Sequence, residues 1–327
     1  MKIERGIFIH YKELVKPISL RQYDAAIARL VHYPEKREEM IIERGKLAAG
    51  YRGQLAFDYY LRLIQNESCY VLHNIRLRLN DAFFQMDTLL LTNRFLLIIE
   101  VKNVIGDLIF DFEFQQLIKD RESTREIYNC PIQQVMNQHQ KLQHWLRLNK
   151  MVNIPIYSIV VLTNPKCFIK EVKGDRNFIK SKLMRSSRFN IFFVGLTNSV
   201  SNEVLMDRET NQLAKRFVQY HTPQILNIYE RHDISQQTIS HGVICHDCQY
   251  FFTLYSPNST CPTCSRPQKS LIHQNVSDYS LLVSPTFTNV EIRNFLNVPS
   301  RYTMKRLLKS SPQVKYSSST YHHPLHD

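Results

Sequence analysis

The chain has 327 residues, 43% of them hydrophobic and 22% charged, which excludes a wholly disordered polymer and leaves room for two domains or for one large domain with appendages. Lys and Arg outnumber Asp and Glu by 42 to 29, a formal charge of +13 that favours a polyanionic partner, nucleic acid before an anionic membrane surface. The longest apolar run, Phe95 to Ile99, stops at Glu100, far short of the roughly 20 residues a membrane-spanning helix needs.

In chain order, Glu4 and Glu13 interrupt the opening segment, so no secretory leader is expected and a cytoplasmic location is the default. The first elements are helices around Leu20–Val31 and Pro34–Arg44. Gly50 and Gly53 precede a further helical pattern, with Ala56, Tyr59, Tyr60 and Leu63 at i, i+3, i+4 and i+7. Ile75, Leu77 and Leu79 alternate with Arg76, Arg78 and Asn80, the pattern of a half-buried strand with a basic outer face. Met86–Leu91 and Phe95–Lys102 are strands joined by a tight turn at Thr92-Asn93-Arg94. Asn129-Cys130-Pro131 opens a helix whose apolar stripe is Ile132, Val135, Met136, His139 and Leu146. Ile154–Leu162 is nearly continuously apolar and reads as a central strand, and Asn190–Leu196 as another. Helix, three strands, helix, strand makes an α/β fold, a sheet flanked by helices.

On the strand ending at Lys102, Leu96, Ile98, Glu100 and Lys102 share one face and Leu97, Ile99 and Val101 the other. A Glu and a Lys closing so apolar a strand are costly in a core unless paired or metal-bound. If the preceding hairpin brings Asp87 alongside, two carboxylates can hold Mg²⁺, which acidifies a bound water and offsets phosphate charge, while Lys102 steadies the developing anion. Those are the requirements of phosphodiester hydrolysis. A solvated Glu-x-Lys on a strand face is the plainer alternative.

The strings AGYRGQLAFDYYL, FFQMDTLLLT, LLIIEVKNVIG and NCPIQQV follow one another within residues 38–165 and resemble the nuclease-related domain family, NERD, assigned to the PD-(D/E)XK superfamily. The resemblance implies a restriction-endonuclease-like mixed sheet flanked by helices. It implies that Asp87, Glu100 and Lys102 fill the Asp and Glu-x-Lys positions of that core. Gln85 fills the family's Gln-x-Asp, Asn103 follows the Lys, and Gln134 is the helix glutamine after Pro131. One departure stands out: where the family has Gly-x-x-Gly-Glu, this chain has Gly50-Tyr51-Arg52-Gly53-Gln54. Gln54 offers a carbonyl oxygen but no base, and Asp58, one turn on, is a possible substitute. His139 and His144 are near the core helix, and His139, on its apolar stripe, is read as a core histidine; the thiols Cys69, Cys130 and Cys167 are read as structural.

Cys245-x-x-Cys248, twelve residues, then Cys261-x-x-Cys264 is the spacing of a tetrahedral Zn²⁺ site, and four thiolates close it, so the metal's role is structural. His241 and His246 are nearby but unnecessary as ligands, and Tyr250, Phe251, Phe252 and Tyr255 supply aromatic surface. Asn289–Leu296, with Val290 and Phe295 inward, a turn at Asn297-Val298-Pro299, and a second helix capped by Ser300 form a helix-turn-helix-like pair. Arg301, Lys305 and Lys309 make one basic stripe on its second helix, opposite Met304, Leu307 and Leu308, and suit nucleic-acid phosphates. Residues 170–188 add seven Lys and Arg against two acids. The divisions expected are a helical extension over 1–37, the nuclease-like core over 38–165, a basic α/β continuation over 166–240, a zinc ribbon over 241–268, the helix pair over 285–310 and a disordered tail over 311–327. The expected function is metal-dependent hydrolysis of DNA. The alternatives are a non-catalytic nucleic-acid-binding or regulatory protein and, more remotely, an assembly adaptor using the ribbon.

Overall fold

A computed structural model describes residues 8–64, 68–120, 125–253, 260–317 and 319–325. Its contacts divide the chain into two units: Met1–Val15 with Ala49–Pro223, and Lys16–Ala48 with Gln224–Asp327. The divisions drawn from sequence fall elsewhere, because the residues read as a helical extension belong largely with the C-terminal third. Strand β1 (Phe8–Lys12) is followed by α1 (Ile18–Arg29) and α2 (Pro34–Leu61). Helix α2 runs unbroken through Gly50 and Gly53, which the sequence places ahead of a separate helix. A helical glycine costs only about 1 kcal/mol relative to alanine, and Gly53 answers a packing demand: a Cβ there would lie 2.6 Å from Asn103 Cβ.

The first unit is built on a six-stranded mixed sheet. After α2 come β2 (Cys69–Leu79), β3 (Ala82–Leu91) and β4 (Leu96–Lys102), then β5 (Gly106–Asp111), β6 (Gln116–Asp120), β7 (Arg125–Asn129) and α3 (Pro131–Leu148). The unit continues through β8 (Ile156–Leu162), β9 (Cys167–Lys173), α4 (Arg176–Lys182), β10 (Leu183–Arg185), α5 (Phe189–Ser199) and α6 (Asp207–Tyr220). The main sheet has the order β1-β2-β3-β4-β8-β10: β2, β3 and β4 pair antiparallel, whereas β1 on β2, β8 on β4 and β10 on β8 run parallel. Its two faces are apolar, as the alternation in β4 foretells. Leu96 and Ile98 join Ile132, Val135, Leu142 and Trp145 of α3. Leu97, Ile99 and Val101 join Phe57 and Leu61 of α2 and Phe189 and Phe193 of α5. This is the mixed sheet flanked by helices expected of a restriction-endonuclease-like core.

Two features of this unit differ from the sequence reading. The segment expected to be a strand at 190–196 lies in helix α5, with Phe189, Phe193 and Thr197 buried at a four-residue spacing while Ile191 and Val194 face outward. A second, four-stranded sheet, β7-β6-β5-β9, is also present. Its strands are short and interleaved with Asp, Lys and Gln, so their pattern resembles that of loops.

The second unit gathers α1 and the N-terminal part of α2 with α7 (Ile228–His232), the hairpin β11 (Val243–Ile244) and β12 (Phe251–Phe252), and α8 (Gln268–Leu282). It ends in β13 (Thr286–Phe287), α9 (Asn289–Leu296), α10 (Arg301–Lys309), β14 (Lys315–Ser317) and β15 (Thr320–His322). Helices α9 and α10 have the expected bounds, and Ser300 caps α10 by accepting from the Thr303 N–H. On α9 the inward residues are Ile292, Phe295 and Leu296, while Val290 is exposed. The expected disordered tail is instead folded through its described residues: β15 pairs with β13 and β14, and Tyr321 is buried with its ring stacked on Phe287. Aromatic burial and strand pairing offset the ordering of this polar segment. Arg29 is wholly buried, donating to Asp278 Oδ2 at 2.9 Å and Asn275 Oδ1 at 2.6 Å and lying 4.6 Å from the centre of the Phe295 ring.

Candidate functional site

The β3–β4 ladder ends at the pair Thr88 and Ile99. One residue farther on, Asp87 takes over from the ladder: its Oδ2 accepts the Val101 backbone N–H at 2.9 Å. The strand phase also breaks here. Asn74, in the left-handed conformation at φ 53°, lies between Leu72 and Ile75, which both join the α3-side cluster although three residues apart. The opening between the strands is therefore filled by polar side chains.

Glu100 is buried and lies on the α3 side, as the alternation requires. Lys102 Nζ lies 2.7 Å from Glu100 Oε1 and donates to Gln134 Oε1 at 3.0 Å. Gln138 Nε2 donates to Glu100 Oε2 at 2.8 Å and to the Gln85 carbonyl at 3.0 Å. Gln54 and Asn74 exchange amide hydrogen bonds of 3.0 and 3.2 Å, and Gln85 Nε2 reaches Asn74 Oδ1 at 3.3 Å. Burial and then the Glu100 charge push the Asp87 carboxyl up to about 7, against the opposing pull of Lys102, the Val101 N–H and Gln54. The structure thus brings Asp87, Glu100, Lys102, Gln54, Gln85 and Gln134 into one network.

Two members of that network, Gln138 and Asn74, escape the sequence reading. Gln138 is four residues past Gln134, hence on the same helical face, a signal available in the sequence. Asn74 interrupts an otherwise regular strand, and asparagine is one of the few residues that tolerates a left-handed backbone. Asp58 does not substitute for the missing acid, because its oxygens face His73, His10 and Arg62. Asn103 ties α2 to the loop after β8, donating to the Ala49 carbonyl at 2.8 Å and accepting from Asn164 Nδ2 at 2.8 Å. His139 is half-buried, its pKa pulled down by burial and then by the Lys182 charge.

Gln85, Gln134 and Gln138 also line an open cleft of about 410 Å³ that continues past Gln115, Asn129 and Lys141 and, among the described residues, has no acidic residue in its lining. The donor set at the Asp87 centre suits a hard divalent cation: two carboxylates with amide oxygens beside them, and a carboxyl raised first by burial and then by the neighbouring Glu100 charge. Both Glu100 oxygens are already held by Lys102 and Gln138, so seating an ion there requires at least one of these contacts to loosen.

In the second unit, Cys245, Cys248, Cys261 and Cys264 bring their sulfurs within 4.8 Å of one another, with two S···S separations of 3.5 Å. A tetrahedron of about 2.3 Å Zn–S bonds has edges of about 3.8 Å, so this cluster can hold a metal ion such as zinc. Each Cys-x-x-Cys turn closes the same way. Gln249 N–H donates to the Cys245 carbonyl at 2.7 Å and Ser265 N–H to the Cys261 carbonyl at 2.9 Å, with Gln249 and Ser265 both left-handed. The neighbouring histidines are otherwise engaged: His246 Nε2 lies 3.0 Å from Asp278 Oδ2, and the His241 ring packs on Phe295. Tyr250 stacks on Phe252, Phe251 is half-buried, and Tyr255 lies outside the described residues. Arg301, Lys305 and Lys309 are exposed on one side of α10, and Met304, Leu307 and Leu308 are buried on the other.

Among the described residues no helix is long and apolar enough to cross a membrane. Residues 49–163 match the family model of the nuclease-related domain, NERD, a stretch that runs from the second half of α2 to the residue after β8 and takes in all six residues of the Asp87 network expected from sequence. No curated protein and no solved structure matches the chain.

Proposed function

We propose that this chain, whose residues 49–163 are a nuclease-related domain, is a metal-dependent nuclease that hydrolyses phosphodiesters of DNA. The observation that carries the proposal is the replacement of a ladder hydrogen bond by Asp87 beside Glu100 and Lys102, a placement in which burial and the Glu100 charge disfavour the ionised carboxylate. Asp87 and Glu100 would hold Mg²⁺, which when bound lowers the pKa of a water and neutralises charge on the phosphate. Lys102 would steady the attacking water or the developing anion. Gln134 positions the Lys102 ammonium, Gln138 orients Glu100, and Gln54 with Gln85 fixes Asn74 beside them. The Cys cluster would take Zn²⁺ as a structural ion, and the α10 stripe would lie along phosphates. A cytoplasmic location goes with this reading.

One observation favours a second reading, a nucleic-acid-binding protein that has lost turnover. Gln54 stands where the family carries an acid and is committed to an amide pair with Asn74. The test is cleavage of plasmid, linear and single-stranded DNA with Mg²⁺ or Mn²⁺, run beside gel shifts. Cleavage abolished by Asp87→Ala or Lys102→Ala supports the nuclease. Salt-sensitive binding without cleavage, indifferent to Asp87→Ala, supports the second reading. Cleavage that appears only in Gln54→Glu would identify a nuclease centre disabled at one residue.

A further inference from the structure

Three side chains that the proposed hydrolysis does not use converge in the first unit. Val71 and Leu90 lie in the cluster beneath α2, and His73 and Thr88 follow that face of β2 and β3 by alternation. There His10 of β1, Asp58 of α2 and His73 of β2 each offer a ligand atom within 4.8 Å of the others. His73 Nε2 is 3.3 Å from Asp58 Oδ1, and His10 Nδ1 is 3.8 Å from the same oxygen. The two imidazoles stack with centroids 5.7 Å apart and planes at 24°. Their side chains are 9% and 1% exposed, and that of Asp58 is 10% exposed.

We propose that His10, Asp58 and His73 form a site for a divalent transition-metal ion, Zn²⁺ by its donor set, with Glu13 as a ligand at its rim. Two imidazole nitrogens and one carboxylate oxygen select first-row transition metals over Mg²⁺, which keeps to oxygen. Support from the surrounding side chains is already in place. Thr88 Oγ1 lies 3.2 Å from His73 Nδ1, which fixes the ring and turns Nε2 toward Asp58. Arg62 Nε engages Asp58 Oδ2 at 2.8 Å, leaving Oδ1 to face both imidazoles. Glu13 Oε2 is 3.8 Å from His10 Nδ1. Burial, the largest influence on His10, lowers its pKa and favours the neutral ring a metal needs. A plain Asp58–His73 ion pair would account for the 3.3 Å contact, but not for a second, stacked imidazole directed at the same oxygen.

The position suggests what the ion does. Asp58 is one turn beyond Gln54, His73 directly precedes Asn74, and Thr88 directly follows Asp87. An ion here would pin β1, α2 and β2 in the register that carries the Asp87 network, with β3 held through Thr88 on His73, by residues that take no part in that network.

The full chain, stripped by chelator under reducing conditions and reloaded with Zn²⁺ or Co²⁺, provides the test. His10→Ala and His73→Gln should each bind about one equivalent less than the parent protein. The Co²⁺–thiolate absorption of the Cys cluster should be unchanged, and a denaturant melt followed by the fluorescence of Trp145, which is buried in the first unit, reports that the variants fold. Asp87→Asn should keep the parent count at this site, which separates it from the proposed nuclease centre. If the buried His73 variant fails to fold, His10→Ala on the edge strand decides alone. Equal metal content in the parent and the folded variants overturns the proposal.

Discussion

Asp87 has a carboxyl that burial and Glu100 push up to about 7, against an ordinary 3.8. The consequences follow from proton counting. Between those values the folded chain holds a proton that the unfolded chain has released, so this group's favourable contribution is full below about 3.8 and is lost as pH rises through about 7. Without added divalent ions, Asp87→Asn should therefore flatten the decline in stability between about pH 4 and pH 7, which denaturant melts at several pH values would read. Metal binding runs the other way. The ion displaces the proton, so Mg²⁺ affinity should rise about tenfold per pH unit below about 7 and level off above it. A pH-independent affinity would show that Asp87 is not a ligand. At this scale the sequence is most legible where chemistry is unusual for its place: a charged pair ending an apolar strand marks Glu100 and Lys102. It is least legible for Asn74 and for the Asp58 contacts, because neutral amides and histidines are common on any surface and only the fold decides what they face.

Elements differ in how much their residues disclose. Strand β4 is readable because both its faces are apolar and its alternation survives to Lys102, and α10 because Ser300 and a basic stripe mark its start and its outer side. Helix α5 misleads because a short apolar run lacks a decisive period, and the β5–β7 strands because their polar residues mimic loops. Helix α2 shows the same limit through Gly53, where a close approach, invisible locally, sets the residue. Gly53→Ala should cost about 1–3 kcal/mol in denaturant unfolding, since Asn103 must give way; an unchanged midpoint would mean the helix has slack there. For α10, replacing Arg301, Lys305 and Lys309 with Gln should weaken DNA binding and lower the slope of log affinity against log salt by about 0.9 for each phosphate that is no longer neutralised. An unchanged slope would remove α10 from the nucleic-acid interface.

The molecule as a whole has two compact units with different sources of order. The first has a sheet buried on both faces. The second joins α1 to the C-terminal third through Arg29, whose partner Asp278 also meets His246 of the first Cys-x-x-Cys turn. Asn275 links the same network to β11, donating to and accepting from Ile244. Arg29→Ala should therefore destabilise the second unit by about 3–5 kcal/mol, because Asp278 would be left buried without its cation; a loss under about 1 kcal/mol would show that Asp278 finds another partner. No local pattern announces this joint, since its members stand some 250 residues apart. The measurement that bears most directly on the Asp87 centre is the initial rate of plasmid cleavage against Mg²⁺ concentration for the parent protein and Asp87→Asn, at a pH above about 7. A saturable, Mg²⁺-dependent rate that falls about a hundredfold or more in Asp87→Asn is expected. Equal rates in the two proteins, or intact plasmid with both while the parent still binds DNA, would contradict it.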